Sequence, residues 1–235
     1  MKKLMMFNLI ALLSLTLFTG MAIAAKYKPG TYKGTAVGYT KKQKPGKIEV
    51  EVTVDADAIK DIKIVTYEQT TKPKKAGKKD KQVERVLQAQ KEIPAKIIET
   101  QSIAVDSVAK ASRSSMGIEL AVAEALEKAT VKYKDGKYTG ESKGYHKKNK
   151  PGKIVAEVTI TGGKIANIEL VTFNQTTKKK EGKKGKQAEN VLKAKEEVPA
   201  SIIEKQSTAV DSTAKASMSS DGIKLAVARA LEQAR

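Results

Sequence analysis

The chain of 235 residues has no cysteine, no tryptophan, one histidine and three phenylalanines. Without thiols there is no disulfide framework, thiolate nucleophile, iron–sulfur cluster, thioether-linked haem or cysteine-built zinc site. The single histidine, His146, is too little for an imidazole metal centre or a nucleophile–histidine triad. No metal and no catalytic residue is expected. Acidic residues are scarce beside basic ones: Lys+Arg 45 face Asp+Glu 26, a formal net charge of +19. A hydrophobic content of 40% with 30% charged residues is ordinary for globular protein, so the composition excludes wholesale disorder.

Long apolar runs are scarce too, and the one present lies at the start. Lys2 and Lys3 precede an apolar stretch from Leu4 to Phe18, and Ala22-Ile23-Ala24 follows as a small-x-small cleavage pattern. The stretch is shorter than the roughly 20 residues of a membrane-spanning helix. Residues 1–24 are therefore expected to be a signal peptide cleaved after Ala24. That places the protein in the periplasm, the cell envelope or outside the cell. With no cysteine at the cleavage site there is no acyl anchor, and no later segment has transmembrane length.

What remains is one unit written twice. Gly38-Tyr39-Thr40-Lys41-Lys42-Gln43-Lys44-Pro45-Gly46-Lys47-Ile48 returns 106 residues later as Gly144 to Ile154, and Gln69-Thr70-Thr71-Lys72 returns as Gln175-Thr176-Thr177-Lys178. Past the lysine-rich stretch the offset falls to 105, with Pro94 matching Pro199 and Val105-Asp106-Ser107 matching Val210-Asp211-Ser212. One residue is lost inside a lysine-rich loop, where no packed element is disturbed. A period this long fits a tandem domain duplication, with domains at 25–130 and 131–235 and the boundary between Ala129 and Tyr133.

Lys47 to Val54 alternates polar and apolar residues, the period of a strand with one buried face, and Lys153 to Ile160 repeats it. Asp55 to Ala58 and Thr161 to Lys164 read as turns, the second with paired glycines. Further strands are expected over Ile59 to Tyr67 and Ile165 to Phe173, and ahead of them around Tyr32 to Tyr39 and Tyr138 to Tyr145. Each unit thus opens with an antiparallel meander of three strands. Val83, Val86 and Leu87 place a helix over Gln82 to Glu92, and Pro94 is expected to start a second, short helix carrying Ile97 and Ile98. Ser114-Ser115 is expected to cap a last helix through Lys128, with Ile118, Ala121, Val122, Ala125 and Leu126 on one face. The fold class is α+β, in two tandem copies.

Residues in each unit carry a resemblance. Gly30-Thr31-Tyr32-Lys33-Gly34, Ile97-Ile98-Glu99-Thr100-Gln101-Ser102 and Val105-Asp106-Ser107-Val108-Ala109-Lys110-Ala111-Ser112-Arg113-Ser114-Ser115 have counterparts in Gly136 to Gly140, Ile202 to Ser207 and Val210 to Ser220. The unit resembles the small FMN-binding domain family shared with the C subunit of the sodium-translocating NADH:quinone oxidoreductase. The family pattern before the last helix is Asp-x-x-Ser/Thr-Gly-Ala-Ser/Thr-x-Ser/Thr. The resemblance implies FMN as cofactor, with Asp106, Lys110, Ala111, Ser112 and Ser114 as binding residues in the first unit. Asp211, Lys215, Ala216, Ser217 and Ser219 are their equivalents in the second. Ser112 and Ser217 stand where covalently flavinylated members carry FMN as a phosphoester.

The departure is Ala109-Lys110 and Ala214-Lys215 in place of Ser/Thr-Gly. Glycine there would supply positive φ or close backbone approach, and the β-carbon of lysine obstructs both. The lysine ammonium can instead neutralise a phosphate at the helix N-terminus, or it can simply be solvated. Tyr67 and Phe173, at matching strand ends, either stack on the isoalloxazine ring or cap the core. Gln69-Thr70 and Gln175-Thr176 align with a family segment that faces the flavin; as residue types they also form turns.

Basic runs at Lys41 to Lys47, Lys72 to Lys81, Lys147 to Lys153 and Lys178 to Lys186 concentrate the positive charge. After a signal peptide, and with no aromatics interleaved to stack bases, nucleic acid is a poor partner. Acidic redox proteins or anionic envelope surfaces fit better. Two function classes follow: an exported electron-transfer flavoprotein with one FMN per domain, and a flavin-free exported module whose lysine loops bind an anionic partner. A redox carrier fits better than a complete enzyme, because no paired acid and base residues are evident.

Overall fold

A computed structural model describes residues 25–38, 46–71, 80–144, 152–175 and 185–235, with side chains in the last stretch from 188 onward. The leader 1–24, Thr176, His146 and most of the lysine runs lie outside the described residues. The first unit runs β1 (Gly30–Gly38), β2 (Gly46–Val54), β3 (Ile59–Tyr67), α1 (Lys81–Thr100) and α2 (Ser112–Ala129). The second repeats it as β4 (Gly136–Gly144), β5 (Gly152–Thr161), β6 (Lys164–Phe173), α3 (Gly185–Lys205) and α4 (Ser217–Gln233). Each sheet is an antiparallel meander with its middle strand second in sequence, β1-β2-β3 and β4-β5-β6. The α+β expectation holds in both copies.

The alternation in β2 does what its period implies: Ile48, Val50, Val52 and Val54 are buried against the helices, while Lys47, Glu49, Glu51 and Thr53 face outward. The two hairpins reverse by different chemistry. Asp55 Oδ1 accepts from the Asp57 and Ala58 N–H groups at 2.9 and 2.7 Å. In the second unit Gly162 and Gly163 take positive φ and donate to Asp135, both at 2.8 Å. These backbone donors hold the Asp55 and Asp135 carboxyls below the ordinary carboxylate value.

Two expectations for the helices are corrected. Pro94 does not start a second helix; α1 runs unbroken through it, as α3 runs through Pro199. Proline removes one helical hydrogen bond, but Ile93, Pro94 and Ile97 are all buried on the same face, and that packing carries the axis past the missing bond. The last helix starts at Ser112 rather than after a Ser114-Ser115 cap, with Ala111 in the capping position. Both serines are committed elsewhere. Ser115 Oγ donates to Ala111 O at 3.2 Å and accepts from the Val108 N–H at 3.1 Å, and Ser114 Oγ donates to Gln69 Oε1 at 3.0 Å.

The opening glycine motif explains how α2 sits. It rests so closely on β1 that a β-carbon on Gly34 would lie 1.8 Å from Ala121 O; on Gly140 it would lie 2.0 Å from Ala226 O. The units also pack on each other through α2 and α4, and Leu225 and Ala228 of α4 join the first unit's core. A reciprocal clamp secures this seam. Glu232 accepts from the Ser102 hydroxyl at 2.7 Å and the Ile103 N–H at 2.8 Å. Its counterpart Glu127 accepts from the Ser207 hydroxyl at 2.7 Å and from the Thr208 N–H and hydroxyl. No helix among the described residues is long and apolar enough to cross a membrane.

Candidate functional site

The segment before each last helix is a four-residue turn. In the first unit the Ala111 N–H donates to Val108 O at 2.9 Å and Lys110, in the third position, has φ 65°. In the second, the Ala216 N–H donates to Thr213 O at 3.0 Å and Lys215 has φ 63°. The third position of such a turn favours glycine because φ is positive. The substitution of lysine has therefore kept the glycine backbone and added a cation. In the first unit α1 braces the turn from above: Gln82 Nε2 donates to Lys110 O at 3.0 Å, and Arg85 to Ala109 O at 2.9 Å.

Ser112 and Ser217 are the first residues of α2 and α4, Ser112 exposed and Ser217 half-buried. Ala111 and Ala216, both buried, occupy the N-cap positions and provide no side-chain cap. Alanine is a poor N-cap, so no side chain caps the first turn and the positive end of the helix dipole lies beside the serine hydroxyl; in the second unit the Ser219 N–H donates to Ala216 O at 3.0 Å. Lys110 and Lys215 are exposed next to this terminus, as are Asp106 and Asp211 at the far end of the loop.

Other candidates are tied into the scaffold. Ser114 and Ser219, 1% exposed, donate to Gln69 and Gln175, each at 3.0 Å. Those glutamines in turn donate to Gly46 O and Gly152 O at 2.8 and 2.9 Å, which locks the strand end to the last helix. Tyr67 donates to Val86 O of α1 at 2.9 Å and packs on the core; burial pushes its phenol up to about 12. Phe173 packs on the second core, with Lys195 Nζ 5.8 Å from its ring centre. Thr70 is half-buried just beyond Gln69.

Two cavities adjoin the serines. One, of about 320 Å³, lies between the first turn and the start of α1, with Gln82, Lys110, Ser112 and Arg113 on its wall. The other, of about 520 Å³, lies between the units, with Ser217, Asp221 and Lys224 facing Thr35 and Glu124. Both volumes fall in the range of small-ligand sites, roughly 300–1,000 Å³. A hydroxyl, a cation and an uncapped helix N-terminus together suit a phosphate, and a cavity alongside suits the rest of a mononucleotide. FMN fits that description.

The fold and site define a tandem α+β protein with a phosphate-compatible serine loop in each copy. The FMN-binding domain family model matches residues 44–127 and again 149–232, and the chain belongs to that family. No curated protein matches the chain. Flavin binding is thereby supported, in a tandem arrangement.

Sequence reasoning missed the seam residues Glu119, Glu124, Lys224 and Arg229. Their signal was available as charges on an otherwise apolar helix face, reversed in sign between the copies.

Proposed function

We propose that this protein is an exported electron-transfer flavoprotein that holds FMN at the turn ahead of its last helices. The observation that carries the reading is the turn itself: lysine in the glycine conformation beside a serine on an uncapped helix N-terminus. The family match supports FMN as the ligand. The bound flavin supplies one- or two-electron transfer. The protein supplies position. The serine hydroxyl is the candidate site of a phosphoester, the lysine ammonium and first-turn N–H groups neutralise the phosphate, and the sheet and last helix hold the loop rigid. Export rests on the leader pattern of residues 1–24. Electron partners of acidic character follow from the net charge of +19.

The test is intact mass and visible absorbance of protein isolated from its native envelope, compared with a Ser112→Ala, Ser217→Ala variant. A mass excess of FMN phosphoester that vanishes in the variant, with flavin absorbance, is expected. Native protein that is unmodified, colourless and unable to bind added FMN would replace this reading by the second one. In that case the lysine-rich loops dock a flavin-free module on an anionic partner or surface.

A further inference from the structure

Because the units are copies, each environment in one has a counterpart in the other, and the departures carry information. Glu119 and Lys224 occupy the same place on α2 and α4, as do Glu124 and Arg229. The seam therefore contains two equivalent pairs with their charges reversed: Glu119 with Arg229, and Lys224 with Glu124.

On one side of the seam the pair closes the gap. Arg229 Nη2 donates to Glu119 Oε2 at 2.8 Å and to Val105 O at 3.2 Å, and Nη1 donates to Glu141 O at 2.9 Å. One guanidinium thus joins α2, β4 and the loop leading to Ser112, and Glu119 is fully buried. On the other side the partners turn back into their own units. Glu124 accepts from the Thr35 N–H and hydroxyl at 2.8 and 3.1 Å and from Lys128 at 2.7 Å. Lys224 donates to Ser212 at 3.0 Å and pairs with Asp221 at 2.9 Å. What lies between them is the cavity of about 520 Å³, with Ser217 on its wall. A third difference points the same way: buried Met116 stands in the first unit where the second has Asp221.

We infer that the two units do not hold flavin equally. The cavity between the units takes the isoalloxazine ring of an FMN whose phosphate lies at Ser217; on the other side Arg229 spans the equivalent gap between the units, and the smaller cavity beside Ser112, walled by the first unit alone, takes none. The chain carries one flavin, walled by both of its halves. The lining combines apolar surface from Ala36, Leu120 and Val210 with a charged edge of Lys47, Lys224, Glu124, Asp211 and Asp221, which supplies donors and acceptors to the polar rim of the ring. This inference rests on the flavin-binding reading and deepens it. It also gives the duplication a purpose, because both units supply the cavity's walls.

The test exploits two exposed alanines at equivalent positions, Ala209 on the cavity wall and Ala104 on the side closed by Arg229. FMN is titrated into the flavin-free full chain and followed by quenching of flavin fluorescence. One equivalent per chain is expected. Ala209→Trp should weaken binding at least about tenfold, and Ala104→Trp should leave it unchanged. Thermal unfolding of each variant at the temperature of the unaltered protein shows that both fold. Two equivalents per chain, or loss of binding with Ala104→Trp but not Ala209→Trp, would overturn this inference and leave the flavin reading standing. No binding to the unaltered protein would overturn both.

Discussion

Replacing Lys110 by glycine should stabilise the protein although it deletes a side chain. At φ 65° a residue with a β-carbon carries a penalty of about 1–2 kcal/mol that glycine avoids. Against this, glycine gains freedom in the unfolded chain worth about 0.5–1 kcal/mol. The lysine side chain is exposed, so little packing is lost, and the hydrogen bond from Gln82 reaches the backbone carbonyl, which survives. The net gain is about 0.5–1 kcal/mol. For a chain of this size that raises Tm by about 1–4 °C. Lys110→Ala removes the charge but keeps the strain and should stay within about 0.5 kcal/mol of the parent. The assay is urea unfolding with an unchanged m-value. If glycine proves no better than alanine, the left-handed strain on which the site description depends is not present. The equivalent change in the second unit adds a functional arm: Lys215→Gly should weaken FMN binding by about fivefold at low salt, less at high salt, because a cation beside the phosphate is lost. Stability and affinity then move in opposite directions.

Three further outcomes follow from the packing. Gly34→Ala places a β-carbon 1.8 Å from Ala121 O, backbone against backbone, and should cost about 3 kcal/mol or more in urea unfolding; a cost under about 1 kcal/mol would mean that α2 does not lie on β1 in this way. Glu232→Ala strips the acceptor from the Ser102 hydroxyl and the Ile103 N–H. It should cost about 2 kcal/mol and speed hydrogen exchange at Ile103, and unaltered exchange there would contradict the clamp. Burial pushes the Glu119 carboxyl from 4.5 up to about 8, against the opposing pull of Arg229. The folded state therefore holds a proton that the unfolded chain releases above about pH 4.5, so this contribution to stability is complete below that pH and is lost as pH rises through 8. Glu119→Gln should flatten the decline in stability between those values, and an unchanged pH profile would refute the assignment.

The strands were legible because their signal is local. Alternation in Lys47 to Val54 reports a single buried face, and a one-residue slip would turn every apolar side chain outward, so pattern and register agree. The helices were less legible where a local rule met a tertiary demand. Pro94 is a helix starter by propensity and lies inside α1 because Ile93 and Ile97 on either side of it are buried. Ser114 and Ser115 have the chemistry of caps, but both are buried one turn into α2, where Ser114 bonds Gln69 and Ser115 braces the Lys110 turn. The conformation of Lys110 had no local signal in its own residue type, since lysine disfavours positive φ; only the family pattern, with glycine at that place, marked it.

The seam was the part least readable from either unit alone, because its residues act across a distance of about half the chain. Comparison between the copies is the signal that reaches that far. Glu127 and Glu232 are the same residue in both units, and they make the same clamp on equivalent loops. A contact repeated under an approximate two-fold relation is best made by identical residues. The positions that differ, Glu119 against Lys224 and Glu124 against Arg229, cannot make the same contact twice, and they do not. Identity between copies thus marks where the fold needs symmetry, and reversal of charge marks where symmetry was given up. One opening between the units is closed by a guanidinium and the other is left as a cavity with a serine on its wall, so a duplicated domain acquires a site lined by both halves that neither could form by itself.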